Sequence, residues 1–269
     1  MHSGDTSAAA AACIERIHAL WAVGCRGGDA AAEIAATEGV IHVTAVGRTP
    51  DRGLEVIAID DGAPRSSTDF FLLNLARARA DAILTTGRIL RAEPGVHHAL
   101  QGTGEEPAQL AAWRREVLGK TSAPRSVVLT SGRDVDLSHR MFHGARPALV
   151  ATGPAGAAAL RRRTGEADFE IAEFPDPDLR SVVARLARDG CSAICIEAGP
   201  SSNLDLYRPP LAVDEIMLST WEDRPLPDRL GAGHFLDEAG IDARLPLRGP
   251  TAWRQEESGR WSFRRQRRA

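Results

Sequence analysis

The sequence predicts an α/β protein with a largely parallel central sheet and an antiparallel edge, and three observations carry that reading. From Val40 onward, short β-rich runs alternate with helical ones. The runs are near-continuously apolar, as in strands covered on both faces. The chain closes on Trp253–Glu257 and Trp261–Arg264 around Ser258-Gly259, the pattern of a hairpin.

In chain order, residues 8–38 are alanine-rich and broken at Gly24 and Gly27-Gly28. Ile14, Ile17, Leu20 and Trp21 fall at helical spacing, and a second short helix is expected over Asp29–Thr37. Strands follow over Val40–Val46 and Leu54–Ile59. Ser66-Ser67-Thr68-Asp69 offers helix caps before the apolar stripe Phe70, Leu73, Leu75 and Ala78. That helix runs into a strand, Asp81–Thr86, stopped at Gly87. A looser segment, Gly95–Pro124, contains a helix over Pro107–Leu118. Strands are expected at Ser126–Thr130, Pro147–Thr152 and, more weakly, Phe169–Phe174. An amphipathic helix, Leu179–Arg188, precedes a buried strand, Ala193–Glu197. Pro200–Tyr207 opens a short helix and Val213–Ser219 is a further strand. No Pro/Ser linker cuts the chain, so the expected organisation is an N-terminal helical extension, 1–38, on one α/β domain, 39–269.

Of the 269 residues, 43% are hydrophobic and 26% charged, which excludes a disordered chain, a collagen-like repeat and a disulfide miniprotein. A net charge of -3 gives no global field toward nucleic acid or anionic lipid. Cys13, Cys25, Cys191 and Cys195 form neither a disulfide framework nor a zinc knuckle; Cys191 and Cys195 read as small apolar residues of a strand. The N-terminus has no signal-peptide pattern and no stretch is long enough to span a bilayer. The expectation is a cytoplasmic protein without metal, membrane or nucleic-acid partner.

Ligands of open α/β sheets sit at the carboxyl ends of the strands. Three ends stand out: Thr85-Thr86-Gly87-Arg88, Thr130-Ser131-Gly132-Arg133 and Glu197-Ala198-Gly199-Pro200-Ser201-Ser202-Asn203. The third delivers a carboxylate, a glycine, then hydroxyl and amide side chains. Backbone N–H groups at such a turn favour phosphate, although Ser201 and Ser202 would equally serve as caps of a short helix. The chain has no GxGxxG or GxxxxGK[ST] fingerprint and no HExxH or GxSxG. His97-His98 reads as a solvated loop, Asp60-Asp61 as a turn, and the Arg264–Arg268 tail as a frayed basic end.

Ser66–Pro94, SSTDFFLLNLARARADAILTTGRILRAEP, resembles the helix–strand–turn of the bacterial riboflavin-biosynthesis reductase domain, a member of the dihydrofolate-reductase-like superfamily. IEAGPSSN at Ile196–Asn203 is similar to that family's VEGGP turn. Pro124–Leu137 stands where the family has PxRVVLD, and Leu230–Phe235 resembles its late glycine-rich segment. The likeness runs from about Val40 to the C-terminus. It implies a dihydrofolate-reductase-like mixed, mostly parallel sheet with flanking helices and a homodimer. The implied activity is NADPH-dependent hydride transfer to a ribosylamino-pyrimidine phosphate or a pterin-like substrate.

Residue by residue, the resemblance makes Arg77 the helix arginine for the substrate phosphate and Glu197 the substrate-facing carboxylate. It places Thr86, Gly87, Arg88, Glu93, Thr130, Ser131, Gly199, Pro200, Ser201, Ser202 and Asn203 around the NADPH cofactor. Departures fall on the substrate-framing turns. The family's LDG turn has no counterpart in Val46–Gly53, and Asp61-Gly62-Ala63 replaces a Ser-x-Trp. The glycine and threonine of GTVRAE are Arg88 and Ile89. A lost hydroxyl near phosphate removes a hydrogen bond, and arginine suits phosphate geometry in its place. Two other readings stay open: a nucleotide-binding or regulatory protein of the same fold without turnover, and a reductase using another hydride carrier such as a deazaflavin.

Overall fold

A computed structural model describes residues 6–21, 29–51, 53–59, 61–133, 135–144, 146–163, 165, 167–223 and 225–269. The glycine break expected at 24–28 and Cys25 lie outside these residues. In chain order the elements are α1 (Ala8–Trp21), α2 (Ala30–Ala36), β1 (Gly39–Arg48), β2 (Leu54–Ile57), α3 (Ser67–Arg79), β3 (Ala82–Thr86), α4 (Gly87–Ala92), α5 (Glu106–Glu116), β4 (Arg125–Leu129), β5 (Ala148–Thr152), α6 (Pro154–Arg161), β6 (Phe169–Glu173), α7 (Leu179–Arg188), β7 (Ala193–Glu197), α8 (Pro200–Asn203), β8 (Glu215–Trp221), β9 (Gly231–His234), α9 (Glu238–Arg244), β10 (Leu247–Glu256) and β11 (Gly259–Arg267).

The strands form one sheet in the order β10-β11-β8-β1-β7-β3-β4-β5-β6, with β2 pairing β1 and β9. Every neighbour from β8 to β6 is parallel. The closing hairpin β10–β11 adds the antiparallel edge. This is the mixed, mostly parallel sheet with flanking helices expected from the sequence, and its N-terminal segment is helical as expected.

Alternation along the strands sends side chains to opposite faces of the sheet, where a third, smaller cluster around Val128, Phe142 and Val150 joins the two main cores. Ile41, Ile83, Cys195 and Met217 pack with α3, α5 and α1, the last contributing Ala10, Cys13, Ile17, Leu20 and Trp21. The opposite face, with Leu84, Ile194 and Ile196, packs on α7 through Leu179, Val182, Val183 and Leu186. Ser66 caps α3, accepting from the Asp69 N–H at 3.0 Å, and Asp178 starts α7 in a reciprocal capping box with Ser181.

Some expectations shift. The buried stripe of α3 is Phe71, Leu72, Leu75 and Ala78, whereas Phe70 and Leu73 are half-buried. Because α3 is sandwiched between the sheet and α5, its buried arc is wide and takes in Asn74, Arg77 and Arg79. Pro200–Tyr207 divides into α8 and a 3₁₀ turn, Leu204–Tyr207. Arg264 and Arg265 of the supposed frayed tail are buried in β11, which zips along β8. There Arg265 and Arg79 converge on the fully buried Glu215 at 2.8 and 2.5 Å.

Candidate functional site

The register puts three strand ends side by side. Thr85 of β3 faces Glu197 of β7, and Thr86 faces Leu129 of β4. The turns after β7, β3 and β4 therefore leave the same edge of the sheet within two strand spacings, about 10 Å. Gly87 opens α4 immediately after β3, and a Cβ there would lie 2.7 Å from Thr130 Oγ1. Thr86 caps α4 by accepting from the Ile89 N–H at 3.4 Å, and Thr130 Oγ1 accepts from the Gly132 N–H at 3.2 Å. The Ser131 turn in turn rests on α6: at Gly156 a Cβ would overlap Thr152 Oγ1 and the Ser131 carbonyl oxygen.

A cleft of about 180 Å³ opens between α4 and the segment after β4, lined by Gly87, Leu90, Arg91, Pro94, Val128, Val135, Asp136 and His139. Its walls are mostly apolar. Arg88 and Arg91 on α4, and Arg133 and Arg140 on the facing segment, are exposed and have no carboxylate partner among the described residues. Four cations on two segments, without a carboxylate partner among the described residues, favour an anionic ligand, while Asp136 adds one carboxylate to the cleft lining.

The face that carries Val128 carries Thr85 and Glu197 at the same level of β3 and β7. Glu197 is held there by Arg77, whose Nε and Nη2 each donate at 2.7 Å to a different carboxylate oxygen. Arg77 Nη1 donates to the Ala99 carbonyl oxygen at 3.3 Å, and the arginine side chain is 2% exposed. Burial works against the Glu197 carboxylate, but Arg77 outweighs it and holds its pKa below the ordinary value. Glu93 moves the other way: burial and then the charge of Glu197 raise it, against Arg77. Burial and Glu197 likewise keep the Cys195 thiol, 3.9 Å from the carboxylate, protonated.

His98, read from the sequence as part of a solvated loop, is buried in this cluster. Its Nδ1 lies 3.1 Å from Ser126 Oγ on β4 and its Nε2 has no partner; Thr85 Oγ1 is also buried without one. Burial drops the His98 pKa to about 4, so the ring is neutral at pH 7. Its neighbour His97 is half-buried. Adjacent loop residues do face different ways, and the one facing inward carried no local signal.

The Gly199–Asn203 turn splits its residues. Gly199 is the N-cap of α8 and no side chain caps that helix, so the serines are not its caps. Ser201 is exposed, Ser202 half-buried, and neither hydroxyl has a partner among the described residues. Beside Gly199 a Cβ would meet open space. Asn203 turns inward to the opposite core, 2% exposed, so it lies on the other face of the sheet from Arg77 and Glu197. The strand ends thus gather Thr86, Gly87, Thr130 and Ser131 on one side and Arg77, Glu93 and Glu197 beside them. Sequence reasoning did not find His98, His139 or Asp136.

A family model described as the RibD C-terminal domain matches residues 56–220. Among solved structures, the chain is similar to a pyrimidine reductase-like protein from Corynebacterium diphtheriae, with a TM-score of 0.61 and 18% identity over 86% of this chain and 92% of that one. It is also similar to RibD from Acinetobacter baumannii, with a TM-score of 0.54 and 12% identity over 86% of this chain and 58% of that one. At such identities the likeness shows the fold, and the chain spans little more than half of the Acinetobacter protein. No curated protein sequence gives a significant match.

Proposed function

Since the chain belongs to the family of the RibD C-terminal domain, we propose that it is an NADPH-dependent reductase acting on a ribosylamino-pyrimidine phosphate or pterin-like substrate. The observation that carries the reading is the convergence of the β7, β3 and β4 turns on one edge, beside a cleft lined by Arg91, with Arg88, Arg133 and Arg140 exposed on the same two segments and without a carboxylate partner among the described residues. NADPH, when bound, supplies the hydride, so the protein needs to bind, orient and shield rather than to move many protons.

The residues present suit a dinucleotide. Arg88, Arg91, Arg133 and Arg140 would meet its phosphates, and Leu90, Val128 and Val135 offer an apolar wall. The open side of Gly199 and the free hydroxyls of Ser201 and Ser202 leave room and donors for a close backbone approach. On the adjoining part of the edge, Glu93 and Glu197 supply carboxylates to a substrate ring. A homodimer and a cytoplasmic location belong to the same reading.

The test is quenching or enhancement of NADPH fluorescence on titration with the protein, repeated with Arg88→Ala and Ser202→Ala. Saturable binding weakened by both substitutions supports the proposal. Absence of any NADPH binding removes the reductase reading, and binding insensitive to both changes moves the cofactor elsewhere. Sedimentation equilibrium tests the dimer.

A further inference from the structure

We infer that a second cleft, at the opposite end of the sheet from the strand-end turns, binds a small phosphate ester. The cleft has a volume of about 290 Å³ and its charged and nucleophilic lining is Arg125, Arg146, Glu170, Arg185, Asp189 and Cys191. The inference is independent of the reductase reading.

The cleft lies where β4, β5 and β6 begin and α7 ends. Arg125 is the first residue of β4, Glu170 the second of β6, and Cys191 stands just ahead of β7. The site therefore sits a strand length, about 15 Å, from the Thr130 and Glu197 turns. Leu149, Ala172 and Leu186 also line it and belong to the core between the sheet and α7, so it has a packed apolar base under a polar rim. Its volume falls just under the range of about 300–1,000 Å³ typical of small-molecule pockets, which suits a phosphate group on a short organic body.

The charge in the cleft is positive. Its two carboxylates are each taken by one arginine: Glu170 Oε2 lies 2.7 Å from Arg125 Nη2, and both Asp189 oxygens accept from Arg185 Nε at 2.9 Å. Arg146 is exposed and has no carboxylate partner among the described residues. Asp81, which reaches Cys191 from outside the lining, is paired with Lys120 at 2.6 Å. The C-terminal end of α7 adds no free acceptors. The N–H groups of Asp189, Gly190 and Cys191 fold back onto the carbonyl oxygens of Arg185, Ala187 and Leu186.

What the cleft has to spare is guanidinium N–H. Arg185 spends only Nε, so Nη1 and Nη2 have no acceptor among the described residues, and Arg146 has its whole fork to offer. These free donors come from two separate elements, α7 and the segment before β5. A planar carboxylate is satisfied by a single fork, whereas the terminal oxygens of a tetrahedral phosphate take donors from several directions. Donor surplus and divided origin together point to phosphate.

Cys191 supplies a local readout, because its free thiol is half-buried in the same cleft. Burial and Asp81 raise that thiol, and Arg146 is close enough to oppose them. The full chain is treated with iodoacetamide at increasing glycerol 3-phosphate, and Cys191 alkylation is followed by peptide mass. Saturable slowing is expected, with no effect of sodium chloride at matched ionic strength. Arg146→Ala and Arg185→Ala should each raise the half-saturating concentration about tenfold, as loss of a charge-assisted hydrogen bond requires. Arg88→Ala, at the other end of the sheet, should leave it unchanged. Resistance of Cys191 to alkylation in the free protein would mean that the cleft admits no small molecule and overturns the inference. Slowing reproduced by sodium chloride, insensitivity to Arg146→Ala, sensitivity to Arg88→Ala, or stronger protection by succinate than by the phosphate ester also overturns it.

Discussion

Asn203 Nδ2 lies 2.8 Å from His42 Nε2 and donates its other hydrogen to the Ala198 carbonyl oxygen at 2.5 Å. The amide nitrogen can only donate, so His42 Nε2 accepts, and Nδ1–H is left to donate to the Tyr207 hydroxyl at 2.8 Å. The ring also meets Tyr207 and Phe235 edge-on at 5.7 and 5.4 Å between centroids. A histidine in the middle of β1 thus ties the turn after β7 to the core.

Replacing it as His42→Leu leaves the Tyr207 hydroxyl and an Asn203 N–H buried without partners. The expected loss is about 2–4 kcal/mol of stability, read from the urea midpoint. NADPH affinity should also fall several-fold, because the Ala198–Asn203 turn loses its inner anchor. His42→Gln, which keeps a donor and an acceptor, should restore part of both. A variant that is less stable but binds NADPH unchanged would show that His42 supports the core without positioning the turn.

Acid should destabilise the fold well above the carboxylate range. Burial lowers the pKa of His42 to about 3 and that of His98 to about 4, so both are neutral in the native state. The unfolded chain takes up these protons near the ordinary value of 6.5. The stabilisation is therefore complete above about pH 6.5 and is lost as pH falls toward 4 and 3. Between pH 7 and pH 5 the two rings together should cost roughly 4 kcal/mol. Urea unfolding at the two pH values measures it; an unchanged midpoint would mean that the rings protonate inside the fold.

Much of this architecture was legible in the sequence because the strands are apolar throughout and well punctuated. Ala82–Thr86 ends at a glycine, and Ala193–Glu197 was placed to the residue. The elements that escaped are those whose stability is tertiary. Gly231–His234 has no β propensity of its own and is a strand only because β2 pairs with it. The six residues of α4 carry too short a pattern to read. For the candidate site, the strand-end rule located the turns, but spacing cannot say which face a side chain takes. Asn203 and Glu197 are six residues apart, yet they serve opposite cores. The Arg77–Glu197 pair joins positions 120 apart, a relation with no local signature.

The buried charges at the start of β8 give a third expectation. Burial alone would raise the Glu215 carboxyl, but Arg79 and Arg265 outweigh it and hold its pKa at about 2. Its stabilisation is present above about pH 4.5 and disappears as pH falls through 2. Glu215→Gln leaves the buried Arg79 guanidinium without its anion and Arg265 with Glu33 alone, and should cost about 3–5 kcal/mol. Replacing all three residues together by apolar ones of similar size should recover most of that loss. Thermal unfolding at pH 7 compares the two, and a single variant as stable as the parent would mean that water solvates the arginines.

Two glycines at the sheet edge should respond in opposite ways to gaining a methyl group. Gly156 sits on α6 where a Cβ would overlap Thr152 Oγ1 and the Ser131 carbonyl oxygen, neither of them the free end of a flexible side chain. Gly156→Ala must push the β4 turn away from α6, with an expected cost of about 1–3 kcal/mol. Gly199 has φ -68°, which any residue adopts, and nothing lies within 4 Å of a Cβ built there. Gly199→Ala should therefore leave the melting temperature unchanged. If a dinucleotide's phosphates approach the turn backbone, the added methyl group occupies the space they need, and NADPH affinity should drop about tenfold. Equal NADPH affinity in parent and Gly199→Ala, at equal stability, would remove the Gly199 turn from the cofactor's path while leaving the cleft beside α4 as its only anchor.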